Sequence, residues 1–166
     1  MITIRSGGQT GVDRAALDIA IALGIQYTGW CPSGGWAEDF LTPPGILVRY
    51  PLLRETPSSE PDQRTAWNVR DSDATLILVR DGTLARSRGT NFAKRMAELV
   101  FQKLCIVANL AADESLARVV RWLKEQASAE SGRVEFVLHV AGARESESPG
   151  VYLEAKQFLD ALLRRL

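Results

Sequence analysis

The sequence predicts an α/β fold in which a mainly parallel sheet carries helices on both faces, and three observations support this. Short β-branched or apolar stretches alternate along the chain with stretches of helical periodicity, as in a sheet with helical crossovers. Ala74–Val79 has the continuous pattern of a strand buried at the centre of a parallel sheet. The 166 residues contain no internal repeat or linker, so we expect residues 1–166 to form one Rossmann-like, three-layer domain.

The first part of the chain predicts a strand, a helix, a second strand and a long loop region. Ile2–Arg5 is a short strand with β-branched residues. Residues 15–23 form a helix because apolar side chains recur three and four residues apart, and Gly24 suits its C-terminal cap. Residues 25–28 predict the second strand. Residues 29–66 contain most of the prolines and little periodicity, which predicts a loop region of the kind that is usually functional or flexible.

The rest of the chain continues the alternation. We predict helices at residues 65–70, 93–100, 116–123 and 155–162, the last three from the spacing of their apolar side chains. Strands are predicted at Ala74–Val79 and at residues 104–108 and 134–140. In a sheet of this kind, ligands bind beyond the carboxyl ends of the strands, so the loops after the strands are the candidate site.

Composition narrows the possible functions. Hydrophobic residues make up 46% of the chain, charged residues make up 24%, and the formal net charge is zero, as in an ordinary globular protein. The charge balance gives no sign of nucleic-acid binding, and no apolar run approaches the roughly 20 residues of a membrane span. The chain begins directly in a strand, and Cys31 and Cys105 are isolated, so we expect a reduced, cytoplasmic protein. With only one histidine, no catalytic metal is expected.

The loop after the first strand predicts an anion site. Gly7, Gly8, Gln9, Thr10 and Gly11 connect a strand to a helix, and amide groups at a helix N-terminus attract phosphate. The spacing is not that of G-x-G-x-x-G, and no Lys-Ser or Lys-Thr pair follows, so a P-loop is disfavoured. The alternative is a tight turn without a ligand. We expect an oxyanion to occupy this turn.

Two further loops with glycine or small polar residues follow strands of the predicted sheet. Residues 81–91 contain Arg88, Gly89 and Thr90, which form a second candidate anion site before a helix. Residues 141–150 contain Gly142 and Arg144. Since the carboxyl ends of parallel strands meet at one edge, we expect all three loops to converge on one phosphate-bearing ligand.

Several residues of the first loop and helix have two interpretations. Thr10 contacts the phosphate or caps the helix. Asp13 is more easily explained by the helix dipole than by a ligand. Arg14 is unfavourable at the positive end of a helix, so it needs an anionic ligand or a carboxylate such as Glu38 as its partner.

Other side chains offer chemistry, but a structural role is favoured for most of them. Cys31 could approach a metal as a thiolate, yet a lone cysteine is more often a small buried hydrophobe. Glu38 and Asp39 could act as an acid pair, but a solvated or arginine-paired role is favoured. His139 lies in an apolar strand and is interpreted as a core histidine rather than a general base. Arg144 either lines the loop or pairs with its neighbour.

The tryptophans suggest an interface. We place Trp30, Trp36 and Trp67 in loops, and exposed aromatic surface tends to mark contacts between subunits. We therefore expect a homo-oligomer, a dimer or a tetramer. Trp30 and Trp36 could instead stack on a pterin or a purine, although packing is favoured.

Residues 6–18 resemble the opening of the molybdenum cofactor carrier family. Further blocks that resemble the family follow in order along nearly the whole chain: residues 29–32, 37–39, 64–65, 68–73, 140–142, 144–146 and 149–152. The family is similar to a wider set of Rossmann-like proteins that includes nucleotide-binding sensors and lysine-decarboxylase-like phosphoribohydrolases. The chain departs from the family pattern near Gly35 and Trp36, where a basic residue is usual, and at Phe40, His139 and Ala143.

The resemblance implies a protein that binds molybdenum cofactor (molybdopterin), a pterin dithiolene with one terminal phosphate, as cargo and hands it to molybdoenzymes. In the related phosphoribohydrolases a glutamate follows a Gly-Thr pair, whereas Asn91, Phe92 and Ala93 follow Gly89 and Thr90 here. The catalytic acid is therefore missing from its place. A carrier is favoured, and a nucleotide-binding sensor or a nucleoside-phosphate hydrolase remains the alternative.

Overall fold

The structure, a computed structural model, describes residues 1–80, 83–129 and 135–166 and has the predicted α/β fold. Six parallel strands form one sheet in the order β3-β2-β1-β6-β4-β5. The strands are β1 Ile2–Arg5, β2 Gln26–Cys31, β3 Leu53–Glu55, β4 Ala74–Val79, β5 Leu104–Asn109 and β6 Phe136–Gly142. The α-helices are α1 Val12–Ala22, α2 Pro61–Arg70, α3 Thr83–Arg86, α4 Arg88–Arg95, α5 Ser115–Ala129 and α6 Val151–Leu163, and a π-helical turn at Met96–Val100 follows α4.

Helices cover both faces of the sheet. On one face α6 packs against α1 and α5, and their apolar side chains form the main core with β-strand residues such as Ile4, Leu76 and Leu138. On the other face α2 packs on β2 and against α4. A smaller apolar cluster, which includes Leu17 and Tyr50, lies beneath the segment between β2 and β3. None of the helices within the described ranges is long and apolar enough to cross a membrane.

The predicted elements are present, but several begin or end elsewhere. β1 and β4 have the predicted bounds, and Gly24 follows α1 with a φ of 66°. Helix α1 starts at Val12 instead of residue 15, because Gly11 and the loop after β6 hold its first turn. Helix α2 starts at Pro61, a residue type that suits the first helical position.

The region of residues 29–66 contains more structure than its composition predicts. It includes the three-residue strand β3 and two short 3₁₀ turns at Ser33–Gly35 and Gly45–Val48. These elements are too short for a periodicity argument. Of the strand predicted at residues 134–140, residue 134 lies outside the described residues, and β6 continues to Gly142.

Two of the three tryptophans predicted in loops lie in regular elements. Trp30 is on β2 and Trp67 is on α2, and their rings meet edge to face with centroids 4.9 Å apart. The Trp30 indole N–H also donates to Asp71 at 2.7 Å. Their placement in loops was wrong, because each packs on the other across the strand and helix. Trp36 lies between short turns as predicted.

Candidate functional site

A cavity of about 190 Å³, here called the central cavity, lies beyond the carboxyl ends of β1, β6 and β4. The chain leaves β1 towards β2 on one side and leaves β4 towards β5 on the other. This edge is therefore the switch point at which parallel sheets bind ligands. The β1–α1 loop, the start of α2, the start of α4 and the β6–α6 loop all contribute to its lining.

The first turn of α4 forms one wall of the central cavity. The loop predicted at residues 88–90 is instead the first turn of this helix, and Ser87 caps it by accepting a hydrogen bond from the Thr90 amide at 3.4 Å. A Cβ added to Gly89 would meet no atom within 4 Å, so this glycine borders open space. A helix N-terminus carries partial positive charge, so this wall suits an anion.

A buried ion pair between α2 and α1 borders the cavity. Arg64 Nη1 lies 2.8 Å from Asp13 Oδ2, and the two side chains are 11% and 6% exposed. Burial raises the pKa of Asp13, although Arg64 and the Gln9 amide favour its charged form. Arg64 Nε has no acceptor within the described part of the chain. An unpartnered buried N–H costs free energy, so this guanidinium would gain from a further acceptor.

Two more guanidinium groups lie at the rim. Arg88 Nη2 is 3.2 Å from Asp62 Oδ2 in an exposed pair, which contributes little by itself. Arg144 Cζ lies 5.6 Å from the centroid of the Trp36 ring, a cation–π contact. Among residues 1–80, 83–129 and 135–166, no carboxylate lies within ion-pair distance of Arg144. The Arg144 charge is thus available to a ligand.

Glu147 joins the β6–α6 loop to the wall formed by α4. Its Oε2 accepts hydrogen bonds from Ser87 Oγ at 2.8 Å and from the Arg144 amide at 3.1 Å. Because one carboxylate oxygen accepts from both segments, Glu147 links the Arg144 backbone to the N-cap of α4.

Four of the predicted site glycines pack against neighbouring segments, since a Cβ added to any of them would come within 2.5 Å of another atom. The four are Gly7, Gly8, Gly11 and Gly142. At Gly11 the added atom would lie 2.3 Å from the Ala143 carbonyl oxygen, which also accepts the Val12 amide at 3.2 Å. These glycines therefore allow close packing around the cavity, and the oxyanion expected at residues 7–11 stays a prediction.

The polar residues of the first loop brace the loop itself. Gln9 lines the central cavity, and its Oε1 accepts hydrogen bonds from the amides of Thr10 at 3.0 Å and Glu38 at 2.9 Å. Thr10 Oγ1 donates to Glu38 and accepts the Glu145 amide at 3.2 Å. Thr10 does not cap α1, whose N-cap is Gly11 without a side-chain hydrogen bond.

Arg14 lies away from the central cavity. Its Nη1 and Nη2 make a bidentate ion pair with Asp39 at 2.9 and 2.8 Å, and its Nε donates to the Gly8 carbonyl at 3.2 Å. The required carboxylate partner is thus Asp39, not Glu38. A separate surface groove is lined by Thr10, Gly11 and Arg14, so the predicted site residues divide between two places.

Glu38 bridges two loops. Besides Thr10, its carboxylate accepts the Ser146 hydroxyl at 2.6 Å and the Ser146 amide at 3.4 Å. Burial would raise the pKa of Glu38, but the hydrogen bonds from Ser146 and Thr10 outweigh it and hold the pKa below its ordinary value. Cys31 is fully buried, and burial raises the pKa of its thiol to about 11, which confirms the small-hydrophobe interpretation.

His139 is a buried strand histidine, as predicted. Its Nδ1 lies 3.4 Å from Thr75 Oγ1, its strand neighbours in register are Arg5 and Thr75, and it is 1% exposed beneath the cavity. Burial, followed by repulsion from Arg64 and Arg5, lowers the pKa of His139 to about 3. The ring is therefore neutral near pH 7 and is not matched to proton transfer there.

A second cavity, here called the Trp36 cavity, has a volume of about 380 Å³ and adjoins the first. Trp36, Leu41 and Pro43 give it an apolar side, and Glu60 and Pro61 line both cavities. The backbone of Ala37, next to Trp36, makes two hydrogen bonds with the backbone of Phe40, and these hold the segment.

The sequence alone did not identify Arg64, Ser87 or Glu147 as site residues. Arg64 belongs to a block that resembles the family, but only the packing of α2 on β2 and against α4 brings it to the cavity. The signal for Ser87 was a serine just before a helical stretch, because serine is a preferred N-cap residue. Glu147 had no such signal. Within the described ranges, no group of histidine, cysteine or acidic residues could hold a metal ion.

Comparison with known proteins agrees with this fold. The family model described as the circularly permutated YpsA SLOG family matches residues 4–163. Among solved structures, the chain is similar to a "putative molybdenum carrier protein" from Syntrophus aciditrophicus SB, with 34% sequence identity and a TM-score of 0.79. That match covers 97% of this chain and 94% of the other. No curated protein matched. The family resemblance inferred from the sequence blocks is confirmed.

Proposed function

The chain belongs to the circularly permutated YpsA SLOG family, and from this premise we propose that it binds molybdenum cofactor in the central cavity and carries it without chemical change. The similar protein from Syntrophus aciditrophicus SB, which is named as a molybdenum carrier, supports the choice of cargo. Cytoplasmic location, assembly of several copies and delivery to molybdoenzymes are parts of the same proposal.

One observation carries the proposal: the open first turn of α4 lies in the same cavity as the guanidinium groups of Arg64 and Arg144. A phosphate beside Gly89 would receive backbone amides and the helix dipole, with two positive side chains around it. The phosphate end of molybdenum cofactor has this chemistry. Arg88 and Thr90 complete the wall on the α4 side.

The proposed site offers no cysteine thiolate to the metal of the cofactor. Cys31 and Cys105 do not line either cavity, and burial raises the pKa of each thiol to about 11. The residues present therefore fit the phosphate of the cofactor. The protein would hold the metal and its dithiolene only indirectly, through contacts with the other parts of the cofactor.

The state of the cavity carboxylates favours carriage over turnover. Three of the four carboxylates that line the cavity are engaged: Asp13 and Asp62 are paired with Arg64 and Arg88, and Glu147 accepts two hydrogen bonds, whereas Glu60 lies at the boundary with the Trp36 cavity. An efficient general acid or base needs a pKa near the working pH and access to the ligand. His139 is buried with a pKa of about 3. These facts disfavour the alternative of nucleoside-phosphate hydrolysis.

The test uses a substitution that the fold can accommodate. Gly89→Asp places bulk and negative charge in the open space of the cavity at a position without positive φ. Repulsion of a phosphate at close range is worth on the order of a few kcal/mol. Wild-type protein is incubated with molybdenum cofactor, passed through a desalting column, and assayed for retained pterin by fluorescence after oxidation. We expect saturable retention that Gly89→Asp abolishes.

Asn91→Asp is the matched control, because it adds the same charge on exposed surface of the same helix outside the cavity. It should change retention by less than about threefold, since exposed charges are screened. A parallel incubation with AMP addresses the alternative. Release of adenine over many turnovers, lost in Gly89→Asp, would overturn the carrier and establish a hydrolase, whereas binding of AMP without turnover would indicate a sensor.

A further inference from the structure

The central cavity is too small for a whole ligand of the proposed kind. Its volume of about 190 Å³ lies below the roughly 300 to 1,000 Å³ typical of small-molecule sites. A phosphate with a short sugar-like portion fills such a space. Any ring system attached to it must extend into a neighbouring space or into solvent.

The Trp36 cavity is the neighbouring space that the structure provides. It is about 380 Å³, and it meets the central cavity at Glu60 and Pro61, which line both. Its apolar side chains, Trp36, Leu41 and Pro43, suit a flat, weakly polar group. The chemistry thus changes from charged to apolar across a shared boundary.

Trp36 and Arg144 connect the two spaces. Arg144 lines the central cavity, and its guanidinium carbon lies 5.6 Å from the centroid of the Trp36 ring, which lines the other cavity. Trp36 is only partly buried, so part of its surface stays open to a ligand. An aromatic side chain in this setting can stack on any flat heteroaromatic ring, whatever the ring's substituents.

Glu60 adds a preference among rings. It precedes α2, and its carboxylate has no hydrogen bond or ion pair with any residue in the described ranges. A carboxylate only accepts hydrogen bonds, and its two oxygens match two donors side by side. An amino group next to a ring N–H presents such a pair. This arrangement occurs in the 2-amino-4-oxopyrimidine ring that guanine and pterins share. Adenine lacks this pair.

We propose that the Trp36 cavity is the subsite for the ring of the bound ligand, a phosphorylated bicyclic heterocycle with a 2-amino-4-oxo edge. The phosphate occupies the central cavity, the ring stacks on Trp36, and Glu60 accepts the ring's N–H donors. This inference rests on the proposed function, because it assigns the second half of the same ligand site.

Calorimetric titration with four probes tests the subsite. The probes are ribose 5-phosphate, AMP, GMP and neopterin monophosphate. We expect GMP or neopterin monophosphate to bind at least about tenfold more tightly than ribose 5-phosphate, as base–aromatic stacking supplies. Which of the two binds more tightly distinguishes a nucleotide from a pterin ligand. Glu60→Gln should bring the favoured probe to within about threefold of AMP, because an amide presents one acceptor instead of two.

Variants of Trp36 separate stacking from folding. Trp36→Leu should remove the advantage of the ring probes and leave ribose 5-phosphate binding within about threefold, whereas Trp36→Phe should keep most of the advantage. Trp122→Phe is the matched control, because Trp122 packs against the main core and lines neither cavity. Circular dichroism of each variant checks the fold.

The outcomes divide clearly. If ribose 5-phosphate binds but the ring probes bind no better, or if their advantage survives Trp36→Leu, the subsite is overturned and the phosphate site stands. If no probe binds, ribose 5-phosphate included, the proposed function is overturned together with the subsite. Equal advantage of AMP and GMP that Glu60→Gln does not change would remove Glu60 from the proposal.

Discussion

At the scale of single residues, the glycines fall into two groups: some allow close packing of the chain, and others border space that a ligand could occupy. Gly11 has a φ of 78°, and its missing side chain lets the Ala143 carbonyl approach. Gly89 has no such contact and borders the cavity. Both occur in glycine-containing loops in the sequence, so the pattern alone does not distinguish them. What distinguishes them is whether the space beside the α-carbon is filled by protein.

Substitution of Gly11 is expected to damage the fold more than substitution of Gly24. Both have positive φ, but a Cβ at Gly24 would meet nothing within 4 Å. Gly24→Ala should lower the free energy of unfolding by about 1 kcal/mol, the cost of the left-handed conformation alone. Gly11→Ala adds the clash with Ala143 and should cost at least about 2 kcal/mol more. Urea denaturation measures both, and equal losses would contradict the packing explanation.

His139 is expected to make stability depend on pH. Its pKa is about 3 in the folded protein and about 6.5 in the unfolded chain. As pH falls from about 6.5 towards 3, the unfolded state binds a proton that the folded state refuses, so the free energy of unfolding decreases. Above a pH of about 6.5 the contribution is constant.

Denaturation of wild type and His139→Gln between pH 4 and 7.5 tests this dependence. The carboxylates titrate in both proteins, so the difference between the two curves isolates the histidine. The wild type should lose on the order of a few kcal/mol more than the variant on acidification. Parallel curves would show that His139 does not titrate as its burial requires.

At the scale of elements, helix termini explain which loops are available to a ligand. The N-terminus of α6 is already capped, because Glu145 accepts hydrogen bonds from the Gly150 amide and, at 3.0 Å, from the Tyr152 amide. The first amide of α1 donates to Ala143. At the start of α4, the Ser87 side chain accepts only one amide of the helix, that of Thr90, and Gly89 in the same turn borders an open cavity. Of the three predicted anion loops, the one after β4 is therefore the best placed for a phosphate.

The Glu145 cap is expected to stabilise the protein. Glu145→Ala removes an acceptor for two amides and a negative charge near the positive end of α6, and should lower the free energy of unfolding by about 1 to 2 kcal/mol. Glu145→Gln keeps one acceptor and should cost less. Glu125→Ala, on the exposed surface of α5, is the control and should stay within about 0.5 kcal/mol of wild type. If the Glu145→Ala variant were as stable as this control, the prediction that Glu145 stabilises the N-terminus of α6 would be wrong.

At the scale of the whole molecule, strand order determines where the site is. Strand β6, the last in sequence, lies between β1 and β4, so three segments distant in sequence end side by side. The order also places β5 at an edge of the described sheet, near the exposed side chains of Leu99, Val100 and Leu104. An edge strand beside apolar surface favours association with another chain.

We expect the protein to be a homo-oligomer that uses this edge. Light scattering at micromolar concentration should give a mass at least twice that of the 18.2 kDa chain. The double variant Leu99→Lys and Leu104→Lys should shift it towards monomer, because it places positive charges in the contact. Leu41→Lys, at a leucine that is also well exposed but lies elsewhere, is the control. A monomeric wild-type protein would end this prediction.

The local pattern of apolar residues by itself determined most of the helices and strands of this protein and its α/β fold class. Alternating apolar periodicities are properties of neighbouring residues, so they predicted the parallel sheet, the bounds of β1 and β4, and the buried state of His139. The buried state of Cys31 was predicted from its residue type alone. The family blocks could also be identified along the chain. β3 was missed because three residues carry no period.

Only the tertiary structure decided which residues meet. Arg14 pairs with Asp39 instead of Glu38, and the glycines of the first loop face protein. Arg64 reaches the cavity because α2 packs on β2 and against α4. The physical reason is that charges, hydrogen bonds and close contacts act over a few ångströms between segments far apart in sequence. Strand order brings those segments together, and local periodicity carries no information about strand order.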